Sequence, residues 1–173
     1  MEIRLLRGSD NRSSFRSGDP DLDGFFQKFA GQNQFRHQIG ATYVAVEGHR
    51  IAGYATVAPG QIEIEDLPSA QRKKLPRYPL PILRLARLAV DESFQGRGLG
   101  RQLLRFVLGL AVRMAGDFGC SGVVVDAKPG AVPFYLQFGF APLEVVEGQS
   151  PVRPAATAMF LARTEIEAAG SQK

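Results

Sequence analysis

The segment from Ile82 to Ala115 constrains the fold more tightly than any other. Ile82–Val90 is apolar on both faces apart from Arg84 and Arg87, the pattern of a strand covered on each side. The glycine-rich run Gln95-Gly96-Arg97-Gly98-Leu99-Gly100 follows, and from Gly100 to Ala115 apolar residues recur at helical spacing almost all round. Such a helix is expected to be deeply buried. A buried strand that turns through glycines into a buried helix needs a sheet with helices layered against it, so the chain reads as α/β (α+β).

The flanking sequence supplies the rest of the sheet. Ile3 and Leu5 alternate on one side of an edge strand. Ala41–Val46 and Ile51–Val57 make a hairpin around Glu47-Gly48-His49-Arg50, and Gln61–Glu65 continues the alternation as an extension of the sheet or a short extra strand. Gly122–Val125, Phe140–Val146 and Ala158–Ala162 read as later strands. Asp19 caps and Pro20 begins a helix whose Leu22, Phe25, Phe26 and Phe29 form an aromatic stripe for packing on the sheet. A brief helix is expected near Pro133–Phe138, and Gln71-Arg72-Lys73-Lys74-Leu75-Pro76-Arg77 is a basic, proline-broken helix or loop. The expected architecture is a mixed central sheet of roughly six to seven strands with helices on both faces. One domain spans residues 1–162, with a tail at 163–173 that is loosest over Ala168–Lys173.

Composition narrows the chemistry. With 173 residues, 45% hydrophobic and 22% charged, the chain fits one globular domain rather than a disordered or fibrous polymer. Lys and Arg number 21 against 17 Asp and Glu, a net charge of +4 that permits an anionic partner without requiring one. The single cysteine, Cys120, excludes an internal disulfide framework and reads as a small core residue. With only His37 and His49 beside it, no metal site is expected. Met1–Arg7 lacks the apolar core of a secretory signal, and Phe106–Val112 is too short to span a bilayer. The expected location is cytoplasmic, without membrane attachment.

A strand that ends near Val90 and a helix that begins near Gly100 aim free backbone N–H groups at one point, a geometry suited to phosphate or pyrophosphate. Arg97 and Arg101 add positive charge beside it. A Walker phosphate loop would need Gly-Lys-Ser/Thr, whereas Gly100 precedes Arg101-Gln102. A dinucleotide fingerprint would need a third glycine where Arg101 or Leu103 stands. Downstream, Val123-Val124-Val125-Asp126-Ala127 leads to a helix bearing Phe134 and Tyr135, which ends at Gly139 before Phe140.

These features resemble the GNAT acetyltransferases. Gln95-Gly96-Arg97-Gly98-Leu99-Gly100 matches their Gln/Arg-x-x-Gly-x-Gly/Ala motif, and Phe134-Tyr135 with Phe138-Gly139-Phe140 matches their later aromatic segment. The resemblance covers about Ile3 to Leu161. Phe15-Arg16-Ser17-Gly18, Leu22-Asp23-Gly24-Phe25-Phe26, Ala30, Gln32, Tyr43-Val44-Ala45, Ile51-Ala52-Gly53-Tyr54 and Arg87-Leu88-Ala89-Val90-Asp91 look more narrowly like the GNAT toxins of bacterial toxin–antitoxin pairs. Those toxins acetylate the amino group of aminoacyl-tRNA and block translation.

The resemblance implies acetyl-coenzyme A as co-substrate. It implies a splayed strand pair in which Leu88, Ala89 and Val90 receive the pantetheine arm opposite the strand near Val124. Gln95, Gly96, Arg97, Gly98, Leu99, Gly100 and Arg101 would hold the pyrophosphate, with Asp126 and Phe134 along the rest of the cofactor. Tyr135 is the expected donor of a proton to the leaving thiolate, since a phenol of pKa ~10 can serve a thiol of ~8.5 once that thiolate is desolvated. No general base stands out among Glu63, Glu65, Asp126 and His37. An α-amine, far more acidic than a lysine ammonium, needs little help from a base, which favours an aminoacyl acceptor. Arg72, Lys73, Lys74 and Arg77, with Arg84 and Arg87, are the candidate contacts to a nucleic-acid backbone. An aminoacyl-tRNA substrate, a small DNA-binding antitoxin and a homodimer follow from the toxin likeness. The alternatives are a GNAT enzyme acting on a small amine, peptide N-terminus or protein lysine, and an inactive coenzyme A-binding subunit.

Overall fold

The computed structural model describes residues 1–67, 69–73, 75, 79–143 and 156–170. Its strands are β1 (Glu2–Leu5), β2 (Ala41–Glu47), β3 (Arg50–Ile62), β4 (Leu80–Val90), β5 (Gly122–Ala127), β6 (Ala141–Pro142) and β7 (Thr157–Ala162). Its α-helices are α1 (Pro20–Lys28), α2 (Ser69–Arg72), α3 (Leu99–Asp117), α4 (Val132–Gln137) and α5 (Arg163–Gly170). The seven strands make one mixed sheet in the order β1-β2-β3-β4-β5-β7-β6. The chain divides into two compact units, residues 1–58 with 85–109, and residues 59–84 with 110–173.

In the first unit β2 pairs antiparallel with both β1 and β3. The β2–β3 turn is the pair Gly48-His49, with Gly48 at φ 61°, the left-handed conformation a tight hairpin needs. Ala45 faces Gly53 while Val46 faces Ile51, so Ala52 is an extra residue, a β-bulge. The bulge has a use: the Ala52 carbonyl accepts the Asp91 N–H at 2.8 Å, fixing the point where β4 ends.

Separate apolar clusters cover the two faces of this half-sheet. Phe15, Phe25, Phe26, Val44, Ile51, Tyr54 and Ala89 pack together with Leu22 of α1 beside them. On the other face Ala45, Ala52, Phe94, Leu99 and Leu103 pack with Ile3, Leu88 and Val90. Gly53 permits this closeness, because a Cβ there would stand 2.9 Å from Leu103 Cδ1 and 3.0 Å from the Ala89 carbonyl. Asp19 caps α1 by accepting from the Asp21 and Leu22 amides, with Pro20 opening the helix as its sequence predicts.

Three expectations need correction. Leu5 is 47% exposed and the neighbouring Leu6 is the buried residue, because β1 ends at Leu5 and the chain turns inward there. Phe29 is 51% exposed, since it is the C-cap of α1 rather than part of its buried stripe. Helix α3 is amphipathic: Leu99, Leu103, Leu104, Val107 and Ala111 are buried, while Arg101, Gln102, Arg105 and Arg113 are exposed. Its arginines mark the solvent face that a count of apolar residues alone obscures.

In the second unit β5 pairs antiparallel with β7, and β7 with β6. Ile62, Leu67, Leu80, Ile82, Val124 and Phe160 form its core. A side chain at Gly122 would run into the Leu161 carbonyl and the Phe160 ring, so the β5–β7 pairing requires glycine there. The strand read from Gln61 is the end of β3, which continues to Ile62 and gives way to a 3-10 turn at Ile64–Asp66. Residues 163–170, expected in the tail, are the helix α5, begun by the Arg163 N–H donating to Ser121 O at 2.9 Å. Lys74, Arg77 and the part of Phe140–Val146 after Leu143 lie outside the described residues.

Candidate active site

The glycine loop is held firmly at its start and open at its crest. Asp91, buried to 6% exposure, accepts the Ser93 amide (3.0 Å) and hydroxyl (2.6 Å) through Oδ1 and the Arg16 amide (3.0 Å) through Oδ2. Burial alone would push its carboxyl up. The bonds from Ser93 and Arg16, with the Arg50 charge 3.8 Å away, outweigh that and hold it below the usual carboxylate range. The Gln95 side-chain amide donates to Ser17 O (2.8 Å) and Val90 O (2.9 Å), so both its hydrogens brace the loop against β4 and the chain entering α1. Phe94 is buried beneath the loop, with the Arg50 and Arg97 guanidiniums 5.1 Å and 5.4 Å from its ring centre.

Beyond Gln95 the backbone takes φ 78° at Gly96 and 79° at Gly98, values that a side chain strains to adopt. A Cβ at either position would meet no atom within 4 Å. The glycines therefore relieve no internal crowding. They set the backbone path and leave its outer side clear for a close-fitting ligand. Gln102 N–H donates to Gly98 O at 3.2 Å, and the amides ahead of it point out of the N-terminal end of α3, where partial positive charge collects. Arg97 and Arg101 are exposed on this surface.

Tyr135 stands in the second unit, on the short helix α4. It is 5% exposed, with ring centres of Phe134 and Phe140 at 5.1 Å and 5.4 Å in edge-to-face contact. Its carbonyl accepts the Phe138 and Phe140 amides, and Gly139 at φ 93° turns the chain out of the helix. No hydrogen bond to its hydroxyl is formed by any of the described residues. Burial alone pushes the phenol pKa up, with no nearby charge contributing. The result is a protonated phenol whose hydroxyl meets no acceptor among the described residues.

The remaining candidates separate by their partners. Arg84 Nη1 contacts Asp126 Oδ2 at 3.2 Å across a solvent-exposed pair, so this carboxylate faces a guanidinium. Arg87 lies over the Phe25 ring at 3.7 Å and lends its charge to the surroundings of Tyr54. Lys73 is exposed and Arg72 half-buried at the end of α2. His37 is exposed, 3.3 Å from the Gln32 side-chain amide; Glu63 and Glu65 are also exposed. Leu88 and Val90 point to the α3 face of β4 and Ala89 to the α1 face.

A family model described as acetyltransferase (GNAT) domain matches residues 38–142, more than half the chain and a span that includes both the glycine loop and Tyr135. The chain belongs to the GNAT acetyltransferase family. It is 36% identical over 140 residues to a tRNA-acetylating toxin of Mycobacterium tuberculosis, covering 79% of this chain and 82% of that one. Among solved structures, AtaT complexed with acetyl-methionyl-tRNAfMet matches at a TM-score of 0.84 and 27% identity over 98% of each chain. AtaTR bound with AcCoA matches at 0.79 and 27% identity over 98% of this chain and 97% of that one. As a GNAT enzyme the protein is an acetyl-CoA-dependent N-acetyltransferase.

The family motif marks the glycines but not what secures them. Arg16, Ser17 and Asp91 stand in segments that carry the toxin likeness, yet that likeness does not say that they brace the loop, and Arg50 lies in none of those segments. One signal was available. Asp91 two residues before Ser93 at a strand end is the spacing of an Asx turn, in which a carboxylate binds the amide two residues on. No helix among the described residues is long and apolar enough to cross a membrane.

Proposed function

We propose that this GNAT enzyme transfers the acetyl group of acetyl-CoA to the α-amino group of aminoacyl-tRNA, acting as a toxin that arrests translation. The observation that carries the transfer step is the buried Tyr135 hydroxyl, left without a hydrogen-bond partner among the described residues. Acetyl-CoA, when bound, supplies an activated acetyl thioester that a neutral amine can attack. The glycine loop suits its pyrophosphate: the backbone of Gly96 and Gly98 is uncluttered, and with Gly100 it offers N–H groups flanked by Arg97 and Arg101. In this reading the edge of β4 at Leu88, Ala89 and Val90 pairs with the pantetheine like an added strand, and Phe134 lies along it.

Tyr135 then holds the proton that the departing sulfur needs. Its raised pKa keeps it protonated throughout the neutral range, and the desolvation that raises the phenol raises a neighbouring thiolate as well. Asp126 sits against Arg84, and His37, Glu63 and Glu65 stand at the surface, so none is poised as a buried base. Catalysis by positioning, on an amine that deprotonates readily, suits that arrangement. The 36% identity to a tRNA-acetylating toxin selects the aminoacyl ester as acceptor, and the same likeness suggests a DNA-binding antitoxin partner, a homodimer and a cytoplasmic setting.

The test is acetyl transfer from labelled acetyl-CoA to a panel of aminoacyl-tRNAs beside small amines and peptide N-termini, together with growth on expression. Acetylated aminoacyl-tRNA, and growth arrest relieved by Tyr135→Phe, are the expected results. Robust acetylation of a small amine with no product on any aminoacyl-tRNA would overturn the acceptor assignment.

A further inference from the structure

The segment that follows α1 combines exposed apolar side chains with exposed cations. After Phe29 caps the helix, Gln32–His37 forms a π-helical turn closed by Gln38 in the left-handed conformation, φ 54°. The turn is rigidly seated. Gln34 donates to Leu6 O at 2.9 Å and accepts from the Thr42 amide at 2.7 Å, linking the turn to β1 and β2. Ala30 and Gly31 face inward, where Arg12 binds Phe26 O and lies so close that a Cβ on Gly31 would stand 2.8 Å from its guanidinium.

What the seated turn presents outward is unusual. Phe29, Phe35 and Ile39 are 51%, 50% and 63% exposed, and Lys28, Arg36 and His37 of the same segment are exposed too. From Gly24 to Val46 the sequence contains no Asp or Glu. Aromatic rings interleaved with cations and side-chain amides, without a carboxylate, match single-stranded nucleic acid: bases stack on the rings and phosphates meet the cations. An apolar protein interface would call for fewer amides and no such charge bias.

We propose that Lys28–Ile39 is a stacking platform for the unpaired 3′ nucleotides that carry the aminoacyl ester, a proposal that rests on the aminoacyl-tRNA reading above. It places the nucleic-acid contact on α1 and the π turn instead of on Arg84 and Arg87, both engaged within the protein. Phe29 and Phe35 take base faces, while Lys28 and Arg36 take the backbone.

The experiment uses the whole protein and a short single-stranded RNA ending in CCA. Phe35→Trp installs a fluorophore whose emission should be quenched on RNA addition, with an affinity that falls steeply with salt and weakens further in Lys28→Ala/Arg36→Ala. Phe29→Ala and Phe35→Ala should each lower kcat/KM on aminoacyl-tRNA by about tenfold, from a stacking contribution of ~1–3 kcal/mol per base, with acetyl-CoA affinity unchanged. Quenching by RNA in a protein that acetylates no aminoacyl-tRNA would sink the acceptor assignment and keep the platform. Full kcat/KM in both alanine variants, or loss of self-association without any quenching, would overturn the platform and leave the acceptor assignment standing.

Discussion

Tyr54 and Tyr135 are buried phenols of nearly equal exclusion from water, 0% and 5% exposed, and among the described residues only the Tyr54 hydroxyl has a partner. Tyr54 stacks on Phe26 with ring centres 4.3 Å apart and donates to Leu22 O at 2.7 Å, tying β3 to α1. Tyr135 has aromatic neighbours and no hydrogen bond from the described residues. An unsatisfied buried hydroxyl costs about 1–3 kcal/mol, and phenylalanine would fill the same space without that cost. The difference separates two uses of one side chain. Where every polar atom is satisfied the ring serves the fold; in the proposed reading Tyr135, unpartnered among the described residues, keeps its hydroxyl for a ligand.

The contrast is sharpest in a pair of substitutions. Tyr135→Phe should lower kcat about a hundredfold or more, the usual scale for removing a general acid, with acetyl-CoA affinity within about twofold and thermal stability equal or higher. Tyr54→Phe should do the reverse, losing about 1 kcal/mol of stability with kcat nearly unchanged. Steady-state kinetics and thermal melts of both variants suffice, and a large stability loss in Tyr135→Phe would erase the distinction. Burial raises both phenols above the ordinary 10.0. The folded protein therefore holds these protons more tightly than the unfolded chain does. Neither ring lowers stability below pH 10, both do above it, and kcat should show no phenolic fall on the alkaline side up to that point.

Next in size comes Gly98→Ala. At φ 79° with open space around the missing Cβ, alanine adds backbone strain of ~1–2 kcal/mol and no clash. Relief of that strain would shift the loop crest, so acetyl-CoA affinity should weaken about tenfold by calorimetry while the global fold persists. An unchanged affinity would detach the glycines from the ligand and make them turn residues alone.

Asp91→Asn probes the satisfied side of the same loop. Asparagine accepts through one oxygen only and turns an NH2 group toward a donor, so a stability loss of about 1–3 kcal/mol is expected. Because the folded carboxyl lies below its ordinary 3.8, the wild-type contribution is complete above that pH and is lost as pH falls through the depressed folded value. Acid denaturation followed by circular dichroism should therefore be less steep in the variant. Parallel acid curves would show that Asp91 does not stabilise the fold through its charge.

Much of this architecture is legible in the chain because it rests on local signals. Asp19-Pro20 announces α1, Gly48 announces the hairpin, and the apolar run Ile82–Val90 reads as a covered strand, which the structure extends back to Leu80. The glycine motif and the Phe134-Tyr135 segment are equally plain as sequence patterns. What escapes is non-local. Leu5 and Leu6 exchange roles because of where β1 stops, and Asp91 is fixed by the amide of Arg16, 75 residues away in sequence. The bulge at Ala52 arises from a one-residue register shift, which no periodicity reveals. Nor could composition tell that Arg84 and Arg87 are engaged within the protein.

The smallest effect is expected at Arg84 and Asp126, which have neither the seclusion of Tyr135 nor the network of Asp91. Their side chains are 36% and 56% exposed at a separation of 3.2 Å, and solvent screens such a pair to a contribution of ~0–1 kcal/mol. Arg84→Ala should change stability by about 0.5 kcal/mol or less, with kcat/KM on aminoacyl-tRNA within about twofold. Asp126→Asn extends the test to chemistry. If this carboxylate merely faces its arginine, the pH profile of kcat keeps its shape in the variant. A tenfold loss of kcat together with disappearance of an acidic limb would instead make Asp126 a base, and the argument for an acceptor amine that needs none would lose its support.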